Sequence, residues 1–121
     1  PASCWIIEDL CKEGMSFISF GTNDLTQLTL GIDRNNSKIA KLFDEMHPAV
    51  LGEMAKVISV CRKYKVKTSI CGQAGSRPEM AEFLVHQGID SISSNVDAID
   101  EIRKVVARTE KKLLLDAERG N

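Results

Sequence analysis

The sequence carries no surplus of either charge, no long apolar run and no cysteine pair of metal-binding form. Sixteen basic residues stand against seventeen acidic ones, for a net charge of −1. That balance argues against a nucleic-acid binder, which needs basic residues to neutralise phosphates, and against an acidic disordered tail. No apolar stretch approaches the ~18 residues that span a bilayer, so no membrane partner is expected. No charged-then-apolar leader precedes a small-residue cleavage site, so secretion is not indicated. The four cysteines, Cys4, Cys11, Cys61 and Cys71, form no C-x-x-C pair, and two histidines are too few to make a zinc site a natural reading. No fixed-period repeat, low-complexity segment or internal linker interrupts the chain.

The 121 residues, 43% hydrophobic and 27% charged, have the composition of an ordinary soluble domain. The length suffices for one core and is short for two, so residues 1–121 are expected to form a single unit without an internal boundary. Cys4, Cys11 and Cys61 sit in helix-like apolar patterns and read as core thiols of a reducing, cytoplasmic compartment.

Helix and strand periods alternate along the chain. Trp5, Ile6, Leu10 and Cys11 give a short helix over Cys4–Glu13, with Gly14 as its stop. Phe17–Phe20 is a compact apolar strand closed by Gly21. The polar stretch Gly31–Lys38 reads as a loop, and Ile39–Asp44 as one or two helical turns. His47-Pro48 opens a longer helix whose face is Val50, Met54, Val57, Ile58 and Cys61. Val66–Cys71 is a second strand. Ser76-Arg77-Pro78-Glu79 starts the next helix, with Ser76 as cap and Glu79 reaching back, and Gly88 ends it. Ile89–Ser93 is a third strand. Asn95 or Asp97 caps the last helix, with Ile99, Ile102, Val106, Leu113 and Leu114 as its stripe.

Such alternation implies parallel strands joined by right-handed crossovers. Two architectures fit it: a small open α/β sheet, or a piece of an eight-stranded (β/α) barrel, which needs ~250 residues in full. The two open edges of so thin a sheet, and a start at proline, favour a piece of a longer chain.

In either architecture chemistry belongs at the carboxyl ends of the strands. Two segments there stand out. Gly21-Thr22-Asn23-Asp24-Leu25-Thr26-Gln27 follows the first strand and offers a hydroxyl, an amide and a hard carboxylate oxygen suited to magnesium. The plainer reading is a strand-to-helix turn in which Thr22 or Asp24 caps the next helix. Cys71-Gly72-Gln73-Ala74-Gly75 follows the second strand, where a thiol could serve as nucleophile or proton donor. The plainer reading there is a buried cysteine before a flexible turn. Arg34, in the polar loop, could bind a phosphate bidentately or simply be solvated. His47 reads as a cap or loop residue, and His86 as a last-turn cation favoured by the helix dipole.

The run Phe17-Ile18-Ser19-Phe20-Gly21-Thr22-Asn23-Asp24-Leu25-Thr26-Gln27 resembles the carboxyl-terminal signature of the phosphoenolpyruvate-utilising enzymes. Leu30-Gly31-Ile32-Asp33-Arg34, Leu42-Phe43-Asp44-Glu45, Ile70-Cys71-Gly72-Gln73 and Gly88-Ile89-Asp90-Ser91-Ile92-Ser93 extend the resemblance over nearly the whole chain. Gln73 resembles the synthase branch, because the dikinases and enzyme I of the sugar phosphotransferase system usually carry glutamate there. Val96 departs from that branch, which often has proline at this place.

The resemblance implies an α/β fold: the carboxyl-terminal portion, about three strand-helix units, of a TIM-type (β/α)8 barrel. It implies that Asp24 ligates Mg²⁺, with the second ligand expected just upstream of Pro1. It implies that Thr22, Asn23 and Asp24 hold pyruvate or phosphoenolpyruvate, that Arg34 binds the transferring phosphoryl group, and that Cys71 exchanges a proton with the enolate carbon. The family reaction so implied uses ATP, pyruvate and water, passes through a phosphohistidine, and needs ATP-grasp and phosphohistidine domains not represented in these residues. The isolated chain is therefore expected to be inactive. The alternatives are a relative of pyruvate phosphate dikinase or of enzyme I, or a short barrel remnant serving as a non-catalytic assembly module, and a homo-oligomer is expected, with the last helix as a contact.

Overall fold

A computed structural model describes residues 1–31, 44–71 and 73–120. Helices α1 (Ala2–Trp5) and α2 (Ile7–Lys12) lead into strand β1 (Phe17–Gly21) and helix α3 (Thr22–Leu30). After the stretch outside the described residues come α4 (Pro48–Lys63) and β2 (Lys67–Cys71). A 3₁₀ turn over Gln73–Ser76 precedes α5 (Pro78–Gln87) and β3 (Ser91–Ile92). A second 3₁₀ turn, Val96–Ala98, precedes α6 (Ile99–Glu118).

The strands form one parallel sheet in the order β1-β2-β3, as the alternation of periods predicts. Thr68, Ser69 and Ile70 of the central strand are buried in succession, as expected of a parallel strand covered on both faces. β3 has only two residues, against the expected Ile89–Ser93. Its approach to β2 is made partly by a side chain. Asp90 Oδ2 accepts from Thr68 N at 2.7 Å, and Asp90 N donates to the Thr68 carbonyl at 3.1 Å. At the other end Ser93 N donates to the Ile70 carbonyl at 3.1 Å.

The core gathers where α4 crosses the sheet. Val50, Met54, Val57, Ile58 and Cys61 are all buried, which is the face expected from their spacing. The His47 Nδ1 accepts from Ala49 N at 3.1 Å, so His47 caps α4 ahead of Pro48. Met80 and Leu84 bring α5 onto the same core, and Gly88 closes α5 at φ 89°. Cys4, Cys11 and Cys61 are buried free thiols, as expected. Burial, with Cys11 beside it, pushes the Cys61 thiol up to about 12.

Several expectations are corrected. The first helix is two, broken at Ile6. Cys4, Ile7 and Cys11 face inward, while Trp5 and Ile6 are exposed, and the Trp5 ring carries the Lys56 ammonium 4.2 Å from its centroid. Neither Asn95 nor Asp97 caps the last helix by a side-chain bond. Asn95 precedes the 3₁₀ turn, and Ala98 is the residue before α6. On α6, Ile102, Val105 and Thr109 are buried, but Leu114 is 69% exposed. The polar loop and the turn read over Ile39–Asp44 fall almost wholly outside the described residues. Among the described residues no helix is long and apolar enough to cross a membrane.

Candidate functional site

The site is built at the carboxyl ends of β1 and β2. Their register pairs Gly21 with Cys71, so the first strand's signature turn and the cysteine begin side by side although fifty residues separate them. The Cys71 side chain is exposed, and its Sγ donates to the Phe20 carbonyl at 3.3 Å. The plainer reading of Cys71, a buried cysteine before a flexible turn, is thereby corrected.

Helix α3 starts at Thr22 with no intervening loop, and Gly21 is its N-cap without a side-chain bond. Neither Thr22 nor Asp24 acts as the cap. Asp24 lies in the first turn, exposed, where a carboxylate is favoured by the helix dipole. Asn23 is half-buried. Thr22 and Thr26, one turn apart on the same helix face, are 1% and 0% exposed, and their hydroxyls lack hydrogen-bond partners among the described residues. The Thr22 hydroxyl is therefore turned into the protein.

Two features hold α3 in place. Leu25 is buried in the core, and Thr29 Oγ1 donates to Glu53 Oε2 of α4 at 2.7 Å. Gly31 then ends the helix in the left-handed region, at φ 65°. The structure thus brings Thr22, Asn23, Asp24 and Cys71 to one end of the sheet. Arg34 lies outside the described residues.

Sequence reasoning missed the second support of the cysteine loop. Ser76, expected to cap α5, instead accepts at its Oγ from Asn95 N at 2.8 Å, and Arg77 is the residue before α5. Glu79 does not reach back to a cap; its own backbone N–H, and then the Arg77 guanidinium from which it accepts at 2.9 Å, hold its carboxyl below the usual range. The sequence signal was Gly75, a second glycine close behind Gly72, which marks a close backbone approach.

Magnesium usually takes one or two carboxylates and completes its octahedron with water and substrate oxygens. An exposed carboxylate at a strand mouth, the position of Asp24, fits one corner of such a shared site. Among the described residues no group of three His, Cys, Asp or Glu side chains could hold a metal by itself.

Residues 1–111 match the family model described as PEP-utilising enzyme, PEP-binding domain. The chain is 65% identical over 113 residues to a phosphoenolpyruvate synthase of Pyrococcus furiosus, covering 93% of this chain and 14% of the relative. It is 59% identical over 116 residues to a probable phosphoenolpyruvate synthase of Methanocaldococcus jannaschii, covering 96% and 10%. A phosphoenolpyruvate synthase of Aquifex aeolicus is 51% identical over 109 residues, covering 89% and 13%. The synthase names agree with the branch that Gln73 indicates. The chain spans about a seventh or less of the length of these relatives. With the family model matched over nearly all of its length, the chain belongs to the PEP-utilising enzymes, in their PEP-binding domain.

Proposed function

We propose that these residues are the carboxyl-terminal barrel segment of a cytoplasmic phosphoenolpyruvate synthase, which forms phosphoenolpyruvate, AMP and phosphate from ATP, pyruvate and water. The observation that carries the reading is the pairing of Gly21 with Cys71, which sets a proton-carrying thiol beside the Thr22-Asn23-Asp24 turn. The high identity to relatives named phosphoenolpyruvate synthase supports the choice of reaction.

In this reading Asn23 and the backbone around Thr22 and Asp24 hold pyruvate at the mouth of the sheet. Asp24 gives one ligand to Mg²⁺, which when bound supplies Lewis-acid stabilisation of negative charge on the substrate oxygens. Arg34 neutralises phosphoryl oxygens in a loose transition state. The Cys71 thiolate takes one proton from the pyruvate methyl carbon, and the electron pair left behind moves into the enolate. In the reverse direction the Sγ–H returns that proton to the same carbon. The phosphoryl group arrives on a histidine of another domain, and ATP is used by a third. Neither histidine is assigned to the chemistry: His47 caps α4 and His86 lies in the last turn of α5.

The barrel continuation has its own support. An apolar groove of about 740 Å³ runs beside β3, lined by Ile89, Ile92, Ile102, Val106 and Leu113. A further strand-helix unit of the longer protein would cover it, pairing with the edge of β3 that is open among the described residues. Leu114 lines the same groove, and the exposed Leu115 beside it supports self-association of the whole enzyme.

The test uses the full-length protein that contains this segment. Cys71→Ala should slow exchange of the pyruvate methyl hydrogens with deuterated solvent, followed by proton NMR, by about a hundredfold or more. ATP-dependent phosphorylation of the histidine should continue. Exchange at the wild-type rate in Cys71→Ala would remove the cysteine from the chemistry.

A further inference from the structure

The thiol is held from one side by β1, through the Phe20 carbonyl. On its other side the loops after β2 and β3 are locked together. Gly75 is buried, and a Cβ there would overlap the Ser93 carbonyl oxygen and lie 3.1 Å from the carbonyl carbon. Both are backbone atoms that cannot swing away. Ser93 itself is fixed by its hydrogen bond to the Ile70 carbonyl, one residue before Cys71.

Next to this contact three groups close a ring. Asn95 N donates to Ser76 Oγ at 2.8 Å. Ser94 Oγ donates to the Asn95 carbonyl at 3.2 Å. Ser76 Oγ and Ser94 Oγ are 3.3 Å apart. With the Ser94 hydrogen given to the Asn95 carbonyl, Ser76 is the donor between the two hydroxyls. Each Ser76 function is then used: its lone pair by Asn95, its hydrogen by Ser94. Replacing that hydroxyl removes the acceptor of the Asn95 N–H and loosens the turn Gln73–Ser76 against the loop after β3, leaving the Gly75–Ser93 contact as the remaining hold.

We infer that Ser76 is a positioning residue for Cys71, holding the cysteine's loop against the loop after β3 so that Sγ stays aligned for proton exchange. The inference rests on the proposed role of Cys71. Ser76 acts on alignment alone, because substrate binding is assigned to α3, on the other side of the thiol. A misplacement of about 1 Å costs up to a hundredfold in rate.

The experiment is made in the full-length protein. Ser76→Ala should lower kcat for pyruvate methyl exchange about tenfold or more, with KM for pyruvate and ATP-dependent histidine phosphorylation unchanged. Ser76→Thr, which keeps the hydroxyl, should restore most of the lost rate. Should Ser76→Ala fail to fold, Ser94→Ala removes the hydroxyl contact from the other loop but keeps the Asn95 N to Ser76 Oγ bond, and should show a smaller loss that is still confined to kcat. Wild-type exchange in the alanine variants, a rise in KM equal to the fall in kcat/KM, or a threonine variant as slow as alanine would each overturn the inference. Cys71→Ala measured alongside separates the two readings: if it abolishes exchange while Ser76→Ala does not, only the role of Ser76 fails.

Discussion

Gly75→Ala tests the loop-to-loop contact by the sign of its effect. The Gly75 backbone is not in the left-handed region, so alanine is allowed there on conformational grounds. By that argument alone the substitution should stabilise the fold by about 0.4–1 kcal/mol, because alanine has fewer unfolded conformations to lose. The packing argument has the opposite sign and is larger. The new methyl would sit on the Ser93 carbonyl, and the two loops must part by about 1 Å to admit it. Overpacking of this kind costs about 1–3 kcal/mol. The 2.8 Å bond from Asn95 N to Ser76 Oγ would be stretched beyond useful range, at a further cost of about 1 kcal/mol. The net expectation is a destabilisation of about 1–3 kcal/mol. With a urea slope of about 1–3 kcal/mol/M, the midpoint should fall by about 1 M. The assay is urea unfolding of the 121-residue chain followed by circular dichroism. An alanine variant as stable as the parent, or more stable, would show that the loops are not in contact and would refute the reasoning.

Two further outcomes follow from the packing and the charges. Met54 is fully buried in the main core, so Met54→Ala should cost about 2–5 kcal/mol in the same titration; a loss under about 1 kcal/mol would mean that α4 does not cover the sheet as described. The Tyr64 hydroxyl donates to Glu8 Oε1 at 2.6 Å, which lowers the Glu8 carboxyl from 4.5 and raises the Tyr64 phenol from 10 to about 12. The Glu8 part of this stability is present above pH 4.5 and is lost as pH falls through the lowered folded value, while the Tyr64 part is present below pH 10 and is lost as pH rises to about 12. The difference in urea midpoint between parent and Tyr64→Phe should therefore be flat from pH 4.5 to 10 and shrink on both sides, and a difference that stays constant into strong acid would count against the bond.

The parallel sheet was legible because each strand is a short apolar run closed by a turn residue, and because helix-period segments separate the runs. The faces of α4 and α5 were legible for the same reason. Helix α3 was not. Thr22, Thr26 and Thr29 are poor helix formers, and the segment reads as a turn until tertiary support is counted. Leu25 in the core, the Thr29–Glu53 bond and the left-handed Gly31 provide that support, and only the last is a local signal. The break at Ile6 escaped because Trp5 and Ile6 look like core on composition, whereas burial follows Cys4, Ile7 and Cys11 at helical spacing. Among the site residues, Cys71 stood out through the glycines behind it. Its bond to Phe20 depends on a register between residues fifty apart, which no local pattern encodes. Ser76 was misassigned by a sound local rule. Serine three residues before glutamate suggests a capping box, but loops after adjacent parallel strands lie side by side, and Asn95 N reaches the hydroxyl first.

The short third strand shows how the two ends of the sheet depend on one another. Only Ser91 and Ile92 pair with β2, and two residues are a weak basis for register. A slip of one would turn the inward side chain outward and move every later residue along the strand. Asp90 opposes that slip at the amino end, since its carboxylate and its N–H both engage Thr68. Ser93 opposes it at the carboxyl end through the Ile70 carbonyl. Ser94 and Asn95 follow directly, so their place beside Ser76 is set by the same register. The alignment of the Cys71 loop is thus tied through the Ser76 ring, β3 and Asp90 to Thr68, three residues before the cysteine on its own strand. The strand that carries the thiol also fixes the element that steadies it, which lets so short a β3 support the carboxyl end of the sheet.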